Sequence, residues 1–184
     1  MYVTKHEIFS IIKTTMRAVN MDMELKDEHT GVNMMYDFIK DEVLVDCNRV
    51  QEACQELDKQ IPLRTYVEII TIHELGHAMD REALLASLDR AVELYEAKKM
   101  VAAENRATDI PFMTLRLEEL STDIAFEKTA WANAEMLNRF FEVVDWDCFE
   151  MVRTHSLSTY EKLFEQELKC YEELMEQDAV HTLQ

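Results

Sequence analysis

Apolar positions along this chain recur mostly at the spacing of a helix rather than of a strand. Ile8, Ile11, Ile12 and Met16 fall three and four residues apart, which predicts a first helix over residues 4–19 with Thr4 as its cap. The exception lies between Gly31 and Cys47. Met34, Met35, Tyr36 and Phe38 precede a polar Lys40-Asp41-Glu42, and Val43-Leu44-Val45 follows; two short β-rich runs about a polar turn predict a hairpin. Helical patterning returns over residues 49–59, stops at Pro62, and begins again near residue 65. Residues 81–106 hold neither Gly nor Pro, and place Leu84, Leu88, Ala91, Tyr95 and Val101 on one prospective stripe. Asp109-Ile110-Pro111 marks a break and a restart, because proline suits a first helical turn. A long helix is expected over residues 112–141. Asp145-Trp146-Asp147 gives the next break and a cap, and a last helix covers residues 148–177, with Ser156 as a point of interruption. The predicted class is mainly α (α+β), with a small hairpin or short sheet ahead of the helix from residue 65.

Composition narrows the picture. Only 2 Gly and 2 Pro occur in 184 residues, which suits long helices with few tight turns. The length suits one domain over residues 1–184; chains of roughly 150 residues already bury about two-thirds of their unfolded surface. Net charge is −18, from 37 acidic and 19 basic side chains. Such a surface repels phosphate backbones, so neither nucleic acid nor an anionic membrane is an expected partner. Cys47, Cys54, Cys148 and Cys170 form no CxxC pair and are expected to be reduced thiols. The opening residues lack the uninterrupted apolar core of a signal peptide, and no stretch approaches the roughly 20 apolar residues of a membrane span. The expected location is the cytoplasm.

The chemistry concentrates in His73-Glu74-Leu75-Gly76-His77. Residues four apart share one helix face, so His73 and His77 can share one ion. Zinc accepts imidazole nitrogen, and a catalytic zinc site usually holds three protein ligands and a water. Glu74, next to the first histidine, is placed to act as general base on that water. The flanks Ile69, Ile70, Ile72, Leu75, Ala78 and Met79 are uncharged, as a buried helix requires. Gly76 is unfavourable inside a helix by about 1 kcal/mol relative to Ala, and could let another backbone come close.

A third ligand has to come from elsewhere. The stripe Met113, Leu117, Leu120, Ile124, Trp131, Ala134 and Phe141 is interrupted by Glu127, whose helical neighbours are apolar apart from Asp123. A carboxylate in that setting needs a partner, and a metal ion is a good one. Glu119 is the rival. The run Glu119-Leu120-Ser121-Thr122-Asp123 is similar to the ExxSD run of thermolysin-like enzymes, although Arg116 and Thr122 make its face wetter. Asp123, one turn from both acids, is the candidate acceptor for a ligand histidine N–H. His155 and Tyr160 are candidates to donate to a developing oxyanion, although packing or surface roles are the simpler reading for both.

Taken together, the motifs resemble those of the ImmA/IrrE-type zinc peptidases of phages and other mobile elements: a hairpin, an HExxH helix, then a helix with Glu-x-x-Ala. The last reads Glu127-Lys128-Thr129-Ala130, with Ala134 and Leu137 also fitting. The resemblance covers residues 36–137. It departs at Asn133, where that family usually has Phe, and in the longer stretch between His77 and Glu127. It implies a zincin-like fold, zinc on His73, His77 and Glu127, Glu74 as base, and cleavage of a protein or peptide such as a repressor. A strand-presenting edge at Val43-Leu44-Val45 would suit an extended peptide, although an ordinary hairpin is the simpler reading. A catalytically silent zinc-fold interaction protein, an anti-repressor or inhibitor, is the alternative; a metal-dependent hydrolase of a non-peptide amide is a third.

Overall fold

The computed structural model describes residues 3–182, with side chains as far as residue 179. Its elements are α1 (Lys5–Ala18), β1 (Glu24–Asp27), β2 (Met34–Asp37), β3 (Glu42–Val45), α2 (Cys47–Gln55), α3 (Leu63–Met79), α4 (Arg81–Lys99), a short 3-10 turn (Ala103–Asn105), α5 (Ile110–Phe141) and α6 (Trp146–Thr182). The class is α+β: mainly helical, with one small sheet ahead of the HExxH helix. No helix among the described residues is long and apolar enough to cross a membrane.

The chain forms two compact units. One ends at Leu85 and resumes at Glu127–His155; the other takes Ala86–Phe126 and the chain from Ser156 on. In the first, local chemistry starts the helices. Thr4 and Glu7 make a reciprocal capping box on α1, and Asp46 accepts from the amides of Asn48 and Arg49 at 3.0 Å each, so α2 begins earlier than its apolar pattern alone suggests. Ile8, Ile12 and Met16 of α1 are fully buried, and α1 packs on α3.

The hairpin forms where its pattern places it, with Met34 opposite Val45 and Tyr36 opposite Val43. Asp41, at φ 60, closes the turn, and Asp37 Oδ1 accepts from the amides of Ile39 and Lys40 at 3.0 Å each. A third strand was not legible: β1 pairs parallel to β3, giving the order β1-β3-β2. Its Glu-Leu-Lys-Asp sequence is largely exposed, so it carries no hydrophobic alternation to read. Val43-Leu44-Val45 therefore offers no open edge, and the strand-presenting alternative is set aside. β3 is the central strand, buried on all four residues, with Glu42 paired to Lys26 and Lys40.

The end of α5 and start of α6 complete this unit. Buried Asn138 bridges the corner, donating from Nδ2 to Val144 O at 3.1 Å and accepting from Val144 N at 2.9 Å. Leu137 is buried, whereas Phe141, expected on the stripe, is exposed because the helix has turned past the core by then.

In the second unit α4 stops at Lys99 rather than running to residue 106. Along α4, Leu84 of the expected stripe and Leu94 are buried, whereas Ala91 and Tyr95 face solvent. α5 starts as expected, with Asp109 accepting from Phe112 N at 2.7 Å. Arg90 grips Glu118 through two 2.7 Å contacts. α6 runs through Ser156 without a break, since one serine costs a helix only about 0.5 kcal/mol.

Candidate metal centre

The site begins with a helix that is apolar nearly all round. Val67, Ile69, Ile70, Ile72 and Leu75 of α3 are buried, which puts His73 and Glu74 in the interior too, at 7% and 6% exposure. Gly76 explains how a second helix reaches them. A Cβ built on it would stand 2.2 Å from Ala130 O and 3.2 Å from Ala134 N, so α3 and α5 cross backbone to backbone at this residue. Asn133 adds to the crossing by donating from Nδ2 to Gly76 O at 2.9 Å. Asn133, where the resembled family usually has Phe, thus ties α5 to α3 by a side-chain hydrogen bond.

This crossing delivers Glu127. Its Oε2 lies 3.3 Å from His73 Nε2 and its Oε1 lies 3.3 Å from His77 Nε2. The three ligand atoms all lie within 4.8 Å of one another. Charge-assisted N–H···O bonds are usually shorter, about 2.7–2.9 Å. Two donors each about 2.0–2.1 Å from one tetrahedral zinc stand about 3.3–3.4 Å apart. Two neutral-capable imidazoles and one carboxylate are a catalytic zinc donor set, so the residues present fit the ion.

Electrostatics favour the same arrangement. Burial by itself would raise the Glu127 carboxyl, but the two imidazoles outweigh it and hold the group well below the ordinary carboxylate range. Burial by itself would lower His77; Glu127 and Glu74 outweigh it and hold the imidazole above its ordinary range.

Glu74 lies on the same helix, and its Oε2 accepts from the backbone N–H of Tyr36 at 2.9 Å. The sequence could not reveal this contact, because its donor is main chain on β2. One carboxylate oxygen is fixed and Oε1 is left for chemistry. The other outward amide of β2, Met34 N, is bound by Asn33 Oδ1 at 2.8 Å, so neither is open to an added strand.

Neither Glu119 nor Asp123 is grouped with the two histidines. Glu119 is taken by Lys98 and by Arg116, the latter at 2.7 Å, and is not among the residues grouped with the histidines. Cations on both sides bind this acid as an ion pair. Asp123 is exposed, and His73 Nδ1 is buried with no hydrogen-bond partner among the described residues. His155 and Tyr160 are half-buried on α6. Comparison with known protein families, with curated proteins and with solved structures finds no match to this chain.

Proposed function

We propose that this protein is a zinc-dependent peptidase with His73, His77 and Glu127 as metal ligands and Glu74 as general base. The observation that carries the reading is the pair of equal 3.3 Å separations by which one carboxylate meets the Nε2 atoms of both motif histidines. A zinc ion held there supplies a Lewis acid for the scissile carbonyl and lowers the pKa of a water. Glu74, held at Oε2 by the Tyr36 amide, receives the proton of the attacking water at Oε1 and passes it to the departing amine. Its burial keeps bulk water from competing for that proton.

The substrate class is a protein or peptide, as the resemblance to ImmA/IrrE-type enzymes implies, and a regulatory or repressor protein is the narrower proposal. The test is metal content and peptide cleavage measured together. Purified protein loaded with zinc is incubated with a peptide library, beside Glu74→Gln. Near-stoichiometric zinc in both, with cleavage only in wild type, is expected. Cleavage undiminished in Glu74→Gln would remove the base from the mechanism. No zinc in wild type would sink the reading.

A further inference from the structure

We infer that Trp131 is the positioning residue for the His73 imidazole, doing by ring stacking what a hydrogen bond to Nδ1 does at most metal-ligating histidines. The inference rests on the reading of His73 as a zinc ligand.

A histidine that gives Nε2 to a metal carries its proton on Nδ1. That N–H ordinarily donates to a carboxylate, a carbonyl or a water, and the bond sets how the ring is turned. Here His73 Nδ1 is buried and has no such partner among the described residues. Rotation of the ring about χ2, a soft torsion for histidine, would swing Nε2 away from Glu127, and no hydrogen bond at Nδ1 opposes it.

The indole of Trp131 occupies the place from which rotation can be opposed. The two rings stack with centroids 4.2 Å apart and planes 25° from parallel. At that spacing a turn of the imidazole drives its edge into the indole face, so the stack acts as a stop. The stop is itself fixed. Trp131 is 2% exposed, and Phe149 packs edge-on against it at 5.6 Å and 73°. It follows Ala130, whose carbonyl lies against Gly76, so the helix crossing that delivers Glu127 also delivers the indole.

The tryptophan N–H does not account for the residue. Trp131 Nε1 is buried with no hydrogen-bond partner among the described residues, an unfavourable state for a donor. The flat face is what the site uses.

The test is zinc affinity, measured by competition with a chromophoric chelator, on wild type, Trp131→Phe and Trp131→Leu, with folding of each metal-free protein checked by circular dichroism. Trp131→Phe keeps a flat face and should bind zinc within about threefold of wild type. Trp131→Leu fills apolar volume without a face and should bind roughly 10–100-fold more weakly, the usual loss when an orienting group at a ligand is removed. Equal affinity in all three folded proteins overturns the inference. No zinc bound by wild type overturns the metal reading beneath it instead. Should Trp131→Leu fail to fold, the wild-type protein still decides. The ring protons of His73 should resonate upfield of an unstacked histidine, by the indole ring current, both before and after zinc is added. Loss of that shift on zinc loading overturns the inference.

Discussion

Two carboxylates of α5 meet opposite kinds of neighbour. Glu127 faces two imidazoles at a helix crossing where backbones touch; Glu119 sits between the ammonium of Lys98 and the guanidinium of Arg116. Both acids are stabilised in their charged form, so charge alone does not separate them. The difference is what the partners can give up. An imidazole loses its proton near neutrality and becomes a metal donor, whereas ammonium and guanidinium stay charged and offer no lone pair. A metal drawn to Glu119 would have to displace two cations; one drawn to Glu127 recruits its neighbours.

The contrast breaks most completely at Gly76. The Cβ of Gly76→Ala would meet backbone at 2.2 Å, and backbone cannot swing aside as a side-chain tip can. Expected is a loss of about 4 kcal/mol or more, read from chemical denaturation. A denaturation midpoint matching wild type would contradict the close crossing.

Next in size is the effect on metal. Glu127→Ala should lose zinc on elemental analysis while Glu119→Ala keeps it. The reverse pattern would move the site to the Lys98–Arg116 neighbourhood and undo the distinction drawn above.

The pH dependence sharpens the contrast. In metal-free protein the lowered Glu127 contributes stability that is present above its unfolded pKa and lost as pH falls through its folded value. The raised His77 contributes stability that is present below its unfolded pKa and lost as pH rises through its folded value. The pair is therefore worth most between about pH 4.3 and 6.5. Zinc needs deprotonated histidines, so the melting temperature gained on adding zinc should be larger at about pH 8 than at about pH 5. A gain that is flat across that range would count against histidine ligation.

Two smaller effects complete the series. Asn133→Ala removes the bond to Gly76 O and should cost about 1 kcal/mol by denaturation. Glu119→Gln should cost about 1 kcal/mol or less, since its carboxylate is 28% exposed and surface ion pairs contribute little. A cost as large as that of Gly76→Ala would show the ion pairs to be as important as the crossing.

What the sequence made legible follows from where the signal lies. HELGH is a local pattern, and Glu127 stands out as the one acid in an apolar stripe, so the three grouped residues could be named before any coordinates. Glu119 was harder to set aside, because Lys98 reaches it from another helix. The contacts that finish the site were hidden for a similar reason. Tyr36 acts through its main chain, and Trp131 read only as one more apolar position. In the fold, β1 escaped because an exposed strand of Glu, Leu, Lys and Asp has no face to bury. In α4, Leu94 and Tyr95 adjoin, and periodicity assigned the burial to the wrong one.

The sheet has a consequence for how copies of this chain behave in one another's company. An open strand edge is a template on which a neighbouring molecule can polymerise. On one side β1 carries Glu24, Lys26 and Asp27, charged side chains of the kind that blunt an exposed edge. On the other, the outward amides of β2 are already spent, one on Asn33 and one on Glu74. The carboxylate proposed for proton transfer thus also occupies an amide on which a second copy could otherwise pair, and Glu74→Gln exchanges that ionised acceptor for a neutral one.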